Sequence, residues 1–218
     1  MKILITGFEP FGGESINPSW EVAKALDGLK LQDAQLVAVQ LPCVFSQSLG
    51  PLQHALAIHQ PRIVLALGQA DGRSDFSIER VAINVCDARI PDNAGDQPID
   101  LPVVTDGPAA YFSTLPLKKM ALALKAKGYP ASISQTAGTF VCNQVFYGLQ
   151  HALIGSEVIS GFVHVPLLPA QAAMRSGAPI ASMSTETLKD ALLCAVDVLL
   201  AHVKQGGSDI QHAMGANH

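Results

Sequence analysis

Cys142 stands where a strand-like run meets a helix-like run, in the segment GTFVCNQVFYG (138–148). The residues after it repeat apolar positions at helical spacing, which predicts a helix that begins close to Cys142. A cysteine at a helix start faces unpaired backbone N–H groups and the positive end of the helix dipole. We therefore expect a thiol pKa below the ordinary value of about 8.5. Position alone leaves two interpretations open, a nucleophile for covalent catalysis or a small buried hydrophobe.

A cysteine nucleophile needs a base, and histidine is the usual one. Of the seven histidines in the chain, His164 differs because it interrupts the apolar run GFVHVP just before a proline. Burying an imidazole there costs free energy unless the ring has a hydrogen-bond partner. This pattern indicates a candidate base, with a core histidine bonded to backbone as the alternative.

A third group should orient that base, and Glu79 is the candidate. If FSIERVAINV (76–85) forms one long strand, alternation places Glu79 on the face of Val81 and Ile83, with Arg80 on the other face. A carboxylate on an apolar strand face requires a cationic or N–H partner, which a histidine would supply. The alternative is an exposed glutamate on an edge strand.

Phe8 and Phe11 lie among Gly and Pro in TGFEPFGG (6–13), where the sequence offers little core to bury them. We predict that they wall a small, flat apolar pocket; packing beneath the loop is the alternative. The glycines form neither GxxxxGK[ST] nor GxGxxG after the first strand, so the segment does not favour nucleotide binding.

The elements that must position these residues alternate between strand and helix. Apolar runs predict strands over 2–7, 34–41, 62–68, 76–85, 131–136 and 157–166. Helices are predicted from Pro18 to Gly28, over 47–60, over 113–127, after Cys142 and over 185–204. The alternation predicts a single α/β domain over 1–204 whose sheet carries helices on both faces. The polar residues 205–218 are expected to form a disordered tail.

Composition argues against several function classes. A net charge of −4 with no Lys/Arg run argues against nucleic-acid binding. No uninterrupted apolar stretch reaches the roughly 18 residues that a membrane span needs. The N-terminus has too short an apolar run for a signal peptide, so we expect a cytoplasmic protein.

Cysteine usage and hydrophobicity lead to two further expectations. The four cysteines are too sparse for a disulfide scaffold, and no clustered Cys/His spacing indicates a metal site. Apolar residues make up 49% of the chain and charged residues 15%, which predicts that a partner subunit covers part of the surface.

Several segments, in one order from Lys2 to about Val203, resemble the pyroglutamyl peptidase I (pyrrolidone-carboxylate peptidase) family of cysteine peptidases. They are TGFEPFGG with NPS, ERVAIN, DARIPDN, QPID, TAGTFVCN and GFVHVP. The resemblance implies an α/β/α sandwich with a twisted mixed sheet. It also implies a cytoplasmic, cofactor-free and usually tetrameric enzyme that removes N-terminal pyroglutamate from peptides.

Residue by residue, the resemblance implies a triad of Glu79, Cys142 and His164, the positions that spacing had indicated. It further implies a lactam pocket lined by Phe8, Phe11, Ile90, Phe140 and Val141, with Asn17 and Gln69 nearby as polar positioners. Arg89 in DARIPDN would help the backbone N–H of Cys142 to form an oxyanion hole. Cys43 in LPCVF falls in the pocket region and is a second candidate reactive thiol.

Two other function classes stay open at this point. A nucleoside phosphorylase-type transferase would bind phosphate at the Gly-rich loops and would be indifferent to thiol alkylation. A non-catalytic small-molecule binding module would use Cys142 as inert packing.

Overall fold

A seven-stranded sheet forms the centre of the computed structural model, which describes residues 1–215. Its strands are β1 (Lys2–Phe8), β2 (Lys30–Leu31), β3 (Ala34–Leu41), β4 (Ile63–Gln69), β5 (Phe76–Glu79), β8 (Ala131–Ser134) and β9 (Ile159–Val165). The intervening β6 (Val81–Ile83) and β7 (Ala110–Phe112) form a separate two-stranded sheet.

The sheet is mixed, with the strand order β2-β3-β1-β4-β9-β5-β8. Strands β3, β1, β4 and β9 are parallel to one another. Strand β5 runs antiparallel to β9 and parallel to β8, and β2 is antiparallel to β3. The two central strands β1 and β4 are buried along almost their whole length, as apolar strands covered on both faces must be.

Helices cover both faces of this sheet. They are α1 (Pro18–Leu26), α2 (Leu49–His59), α3 (Leu117–Ala126), α4 (Val141–Ala152), α5 (Pro169–Met174) and α6 (Thr185–Gln205). Helices α2 and α4 pack on one face, and α1, α3 and α6 pack on the other. The predicted α/β/α sandwich is therefore confirmed. Within residues 1–215, no helix is long and apolar enough to cross a bilayer.

The prediction of one continuous strand over 76–85 is wrong. Strand β5 ends at Glu79, which is the last residue in register with β8, opposite Ser134. The chain then leaves the large sheet, because β8 extends no further, and β6 starts at Val81 in the small sheet. The direction of the Glu79 side chain is therefore not set by alternation across Arg80. It is set by the pairing of β5 with β9 on one edge and with β8 on the other.

Three shorter elements were not expected. Strand β7 occupies the segment just before the helix predicted over 113–127, so α3 begins only at Leu117. Strand β2 and the short helix α5 also lie in segments for which no element was predicted. Each is brief and depends on a neighbouring element for its hydrogen bonds or packing, so periodicity gives little signal for it.

The described part of the tail, 206–215, contains neither helix nor strand, but it is tied to the domain at Asp209. The Asp209 carboxylate accepts hydrogen bonds from the backbone N–H groups of Lys118 and Lys119, at 2.8 Å and 3.1 Å. These groups lie in the first turn of α3, where N–H groups lack helical partners and the dipole favours an anion. Residues 216–218 of the expected tail lie outside the described residues, and the division at 204 stays a prediction.

Candidate active site

The side chains of His164 and Glu79 share the sheet face that α4 covers. Across the antiparallel pair of β9 and β5, His164 is opposite Ser77. Residues directly opposite each other on paired strands have side chains on the same face of the sheet, and so do residues two apart on one strand. Glu79, two residues beyond Ser77, therefore shares that face with Ser77 and His164. Glu79 and His164 are therefore diagonal neighbours on adjacent strands.

The pair is joined by a short hydrogen bond. His164 Nδ1 lies 2.7 Å from Glu79 Oε1, with the carboxylate fully buried and the imidazole 4% exposed. An ionised carboxylate can only accept, so the proton of a neutral ring is assigned to Nδ1. The other ring nitrogen, Nε2, is then the basic one, and His164 lines a cavity.

Cys142 reaches the same place from the helix layer. It is the second residue of α4, after the N-cap Phe140, so the helix begins where the sequence predicted. Its Sγ lies over Gly68, which is in register with His164 across β4 and β9. A Cβ atom built on Gly68 would lie 2.8 Å from Cys142 Sγ, so any larger residue at 68 would displace the thiol.

The start of α4 is held by a buried amide that sequence reasoning missed. Asn143 Oδ1 accepts from the backbone N–H of Ile83, and its Nδ2 donates to the backbone oxygens of Ile83 and Val85. These bonds fasten the first turn of the helix to the segment at β6. The backbone N–H groups in the first turn of a helix have no acceptor within the helix, so those at the start of α4 are free of helical partners and can act as hydrogen-bond donors.

The expectation of a lowered thiol pKa at Cys142 is wrong. Burial raises this pKa well above its ordinary value, and the neighbouring Cys43 and Glu79 raise it further. Arg73 and the backbone N–H of Cys142 lower it only in part. Nucleophilic attack by Cys142 therefore requires a base that removes the thiol proton.

A cavity of about 270 Å³ contains both Cys142 and His164. It is lined by Phe11, Gln69, Asp87, Arg89, Ile90, Ala137, Thr139, Phe140, Cys142 and His164. The rings of Phe11 and Phe140 are 6.1 Å apart and provide an apolar wall. Arg89 and Asp87 are exposed at the cavity, and the lining includes the polar side chains of Gln69 and Thr139.

Phe8 and Val141, which were predicted to line the pocket, do not line this cavity, and neither does Asn17, which was predicted to lie nearby. Phe8 is 2% exposed and packs in the core against Phe162, with ring centroids 6.4 Å apart. The expectation that it lacks a core is wrong, because β1 extends through Phe8. Val141 is fully buried in the same apolar cluster. Asn17 caps α1 by accepting from the Ser19 N–H, and its Nδ2 donates to the backbone oxygen of Glu9.

Cys43 is also removed from the list of reactive thiols. It is 3% exposed in the apolar cluster against which Cys142 packs. Burial raises the pKa of its thiol to about 12, with Glu9 and Asp92 contributing. A thiol in such surroundings is chemically inert.

Two other polar contacts at the site were missed by sequence reasoning. Gln171 of α5 donates from Nε2 to Gln69 Oε1 at 3.1 Å, which orients an amide of the cavity wall. Arg73 donates from Nη1 to Glu79 Oε1 at 2.6 Å. Neither residue lies in a periodic pattern; only the place of Arg73 in a loop after a buried strand could have drawn attention to it. Among residues 1–215, no group of three or more His, Cys, Asp and Glu side chains could hold a metal ion.

Comparison with known proteins decides the family. A sequence profile described as pyroglutamyl peptidase matches residues 1–202. The chain belongs to the pyroglutamyl peptidase family. It is 56% identical over 217 residues to the pyrrolidone-carboxylate peptidase of Enterobacter sp. (strain 638), covering 99% of each chain. It is 58% identical over 199 residues to that of Klebsiella pneumoniae (strain 342), covering 91% of this chain and 92% of the relative.

Solved structures of the family share the fold. Pyroglutamyl peptidase I from Bacillus amyloliquefaciens superposes with a TM-score of 0.91 at 43% identity, covering 97% of this chain and 99% of that one. Pyrrolidone carboxyl peptidase from Thermococcus litoralis gives 0.93 at 39% identity, with the same coverages. The protein is thus an enzyme, a cysteine peptidase among the hydrolases. Membership of this family supports neither the transferase nor the non-catalytic binding module.

The raised thiol pKa predicts how Cys142 reacts with iodoacetamide, an electrophile that is attacked by thiolates. At pH 7 we expect alkylation slower than that of a free cysteine, whose pKa is about 8.5, with a rise of about tenfold per pH unit up to pH 9. Peptide mapping assigns the label, and Cys142→Ser is the control that removes it. A rate already at its plateau by about pH 6 would contradict the raised pKa.

Proposed function

We propose that this pyroglutamyl peptidase family member removes N-terminal pyroglutamate from peptides through a thioester on Cys142. The proposal rests on the buried hydrogen bond between Glu79 and His164. His164 lines one small cavity together with Cys142, which lies at the start of α4. We expect the reaction to need no cofactor and to take place in the cytoplasm.

The first half of the mechanism is acyl transfer to sulfur. His164 Nε2 takes the thiol proton while Sγ attacks the carbonyl carbon that links pyroglutamate to the next residue. The resulting oxyanion is stabilised by the backbone N–H of Cys142, assisted by Arg89 across the cavity. The imidazolium then gives its proton to the leaving amine, the C–N bond breaks, and the shortened peptide departs.

The second half hydrolyses the thioester. His164 removes a proton from water, and the hydroxyl oxygen attacks the thioester carbonyl carbon. The C–S bond breaks, pyroglutamate leaves, and the proton returns to sulfur. Throughout the cycle Glu79 orients the ring and stabilises the imidazolium without itself becoming protonated.

The cavity supports the choice of a lactam as the recognised group. A pyroglutamyl ring is small, flat and uncharged, with one N–H and one carbonyl, and it suits apolar walls with a few fixed polar groups. Phe11, Ile90 and Phe140 supply such walls, and Gln69, oriented by Gln171, supplies a polar group. An N-terminal proline, glutamate or glutamine would bring an ammonium into this space, and its desolvation is costly.

The candidate triad is tested by substitution. Cys142→Ala should abolish hydrolysis of a pyroglutamyl dye amide, and His164→Ala should lose nearly all turnover. Glu79→Gln should lower kcat by roughly 10²–10⁴-fold, the usual contribution of general acid–base catalysis. Cys194→Ala on α6 and His54→Ala on the exposed side of α2 are matched controls that should retain activity. Glu79→Gln activity within about threefold of wild type would remove Glu79 from the triad.

The pocket is tested by substrate choice. Peptides that begin with Pro, Glu or Gln should be cleaved at least roughly 10³-fold less efficiently than pyroglutamyl peptides, because buried polar groups would lose their partners. Phe11→Ala should lower kcat/KM for pyroglutamyl substrates by about 10-fold or more, through lost apolar contact. Phe112→Ala, at a ring that is 70% exposed on β7, is the matched control and should leave specificity unchanged. Equal cleavage of a prolyl substrate would refute the lactam pocket.

We also propose that the chain assembles as a homotetramer. Its charged fraction is low, and several large apolar side chains are exposed, among them Phe112, Ile154 and Met174 at 70%, 62% and 85%. Light scattering at micromolar concentration should give about four times the 22.9 kDa of one chain. A mass near that of a single chain would refute assembly.

A further inference from the structure

Arg73 contacts the candidate triad through Glu79. Its Nη1 donates to Glu79 Oε1 at 2.6 Å, and this is the oxygen that His164 Nδ1 approaches to 2.7 Å. Its Nη2 donates to the backbone oxygen of Thr136 at 3.1 Å. The guanidinium therefore connects the loop after β4, the end of β5 and the segment after β8.

The surroundings of Glu79 explain why a cation is needed there. Its side chain is fully buried, whereas that of Arg73 is 29% exposed and reaches inward from the surface. Both donors converge on Oε1, and Oε2 is buried with no hydrogen-bond donor from residues 1–215. With only a neutral imidazole beside it, such a carboxylate would be an uncompensated buried charge, which is strongly unfavourable.

We propose that Arg73 is a positioning residue of the reaction, which compensates the buried charge of Glu79 and shares Oε1 with the imidazole of His164. This inference rests on the proposed triad. In the resting enzyme, Arg73 and Glu79 form a neutral pair against a neutral ring and a neutral thiol. When the ring takes the thiol proton, the imidazolium gains the Glu79 carboxylate but is repelled by Arg73. The cation thus limits how firmly the base retains its proton, which the base must give to the leaving amine.

The sign of the effect on pH dependence follows from the charge. Removing a cation favours the protonated form of every group near it, so the acid limb of the kcat/KM profile should move to higher pH. The other titratable or charged side chains near the pair are Cys142 from α4, Asp75 in the cavity that Arg73 lines, and Asp87 and Arg89 in the cavity that His164 lines. Arg73 also lowers the pKa of the Cys142 thiol, but that thiol stays protonated across the acid limb, so the displacement of this limb reports the effect of the lost guanidinium on the ring.

The experiment compares pH profiles of kcat/KM for a pyroglutamyl dye amide. Arg73→Gln should move the acid limb upward by about 0.5 pH unit or more; this is below the roughly 1–3 units of a buried neighbouring charge, because Arg73 is partly exposed to solvent. Arg73→Lys keeps the charge but not the fork that joins Glu79 to Thr136, so it should leave the limb in place and lower kcat. Arg80→Gln is the matched control, because Arg80 follows Glu79 directly but bonds to Gln135. A folded Arg73→Gln variant with an unmoved limb overturns the proposal.

Substitution of Arg73 in the Glu79→Gln variant tests the role of Arg73 separately from that of the triad. In Glu79→Gln enzyme, Arg73→Lys should cause no further loss of kcat, because Arg73 positions the ring through the carboxylate. A further loss equal to that in otherwise wild-type enzyme would overturn the proposal while leaving the triad standing. Near-wild-type activity of Glu79→Gln alone would refute the triad instead.

Folding supplies an independent readout. Without Arg73 the ionised Glu79 carboxylate is an uncompensated buried charge, so the variant should be less stable at a pH where carboxylates are ionised. Thermal unfolding of Arg73→Gln should therefore give a lower Tm at pH 8 than at pH 5, relative to wild type. If Arg73→Gln does not fold at pH 8, the double variant with Glu79→Gln must fold, because the buried charge is gone. Failure of that double variant to fold would also overturn the proposal.

Discussion

A single buried carboxylate oxygen, Glu79 Oε1, is the point on which the site depends. It accepts from a ring nitrogen of His164 and from the guanidinium of Arg73, while the rest of the side chain is closed to solvent. Burying a carboxylate is costly unless cations and N–H donors compensate it. That cost gives the arrangement its rigidity, since any movement of either donor would leave the charge exposed to a low-dielectric interior.

The reversed direction of β5 is the feature of the fold that creates this contact. Because β5 runs antiparallel to β9, Glu79 lies one diagonal step from His164 on the same face, near the end of β9 that opens into the cavity. Gly68 occupies the neighbouring position on β4 and leaves room above the sheet for the sulfur of Cys142. The candidate nucleophile and base thus meet over a rigid sheet, where geometry can be held more closely than on loops.

The cavity itself is built by loops that polar side chains fasten together. Asn93 Nδ2 donates to both Glu9 Oε1 and the backbone oxygen of Pro10, joining the loop that carries Phe11 to the one that carries Ile90. Buried Asp92 accepts from the backbone N–H groups of Phe45, Ala94 and Asp96. These bonds satisfy loop backbone that would otherwise lose water, and they hold the apolar walls beside the triad.

The sequence by itself determined the α/β class, the start of the helix at Cys142 and the three residues of the candidate triad. Each has a local cause: apolar periodicity, a polar residue in a buried run, or a motif shared with a family. Tertiary structure alone decided the break at Arg80, the burial of Phe8 and the raised pKa of the Cys142 thiol. Tertiary structure also decided the pairing of Arg73 with Glu79. All four features depend on which strands and side chains become neighbours in the folded chain. Desolvation and strand order are properties of the packed chain, and local sequence patterns do not encode them.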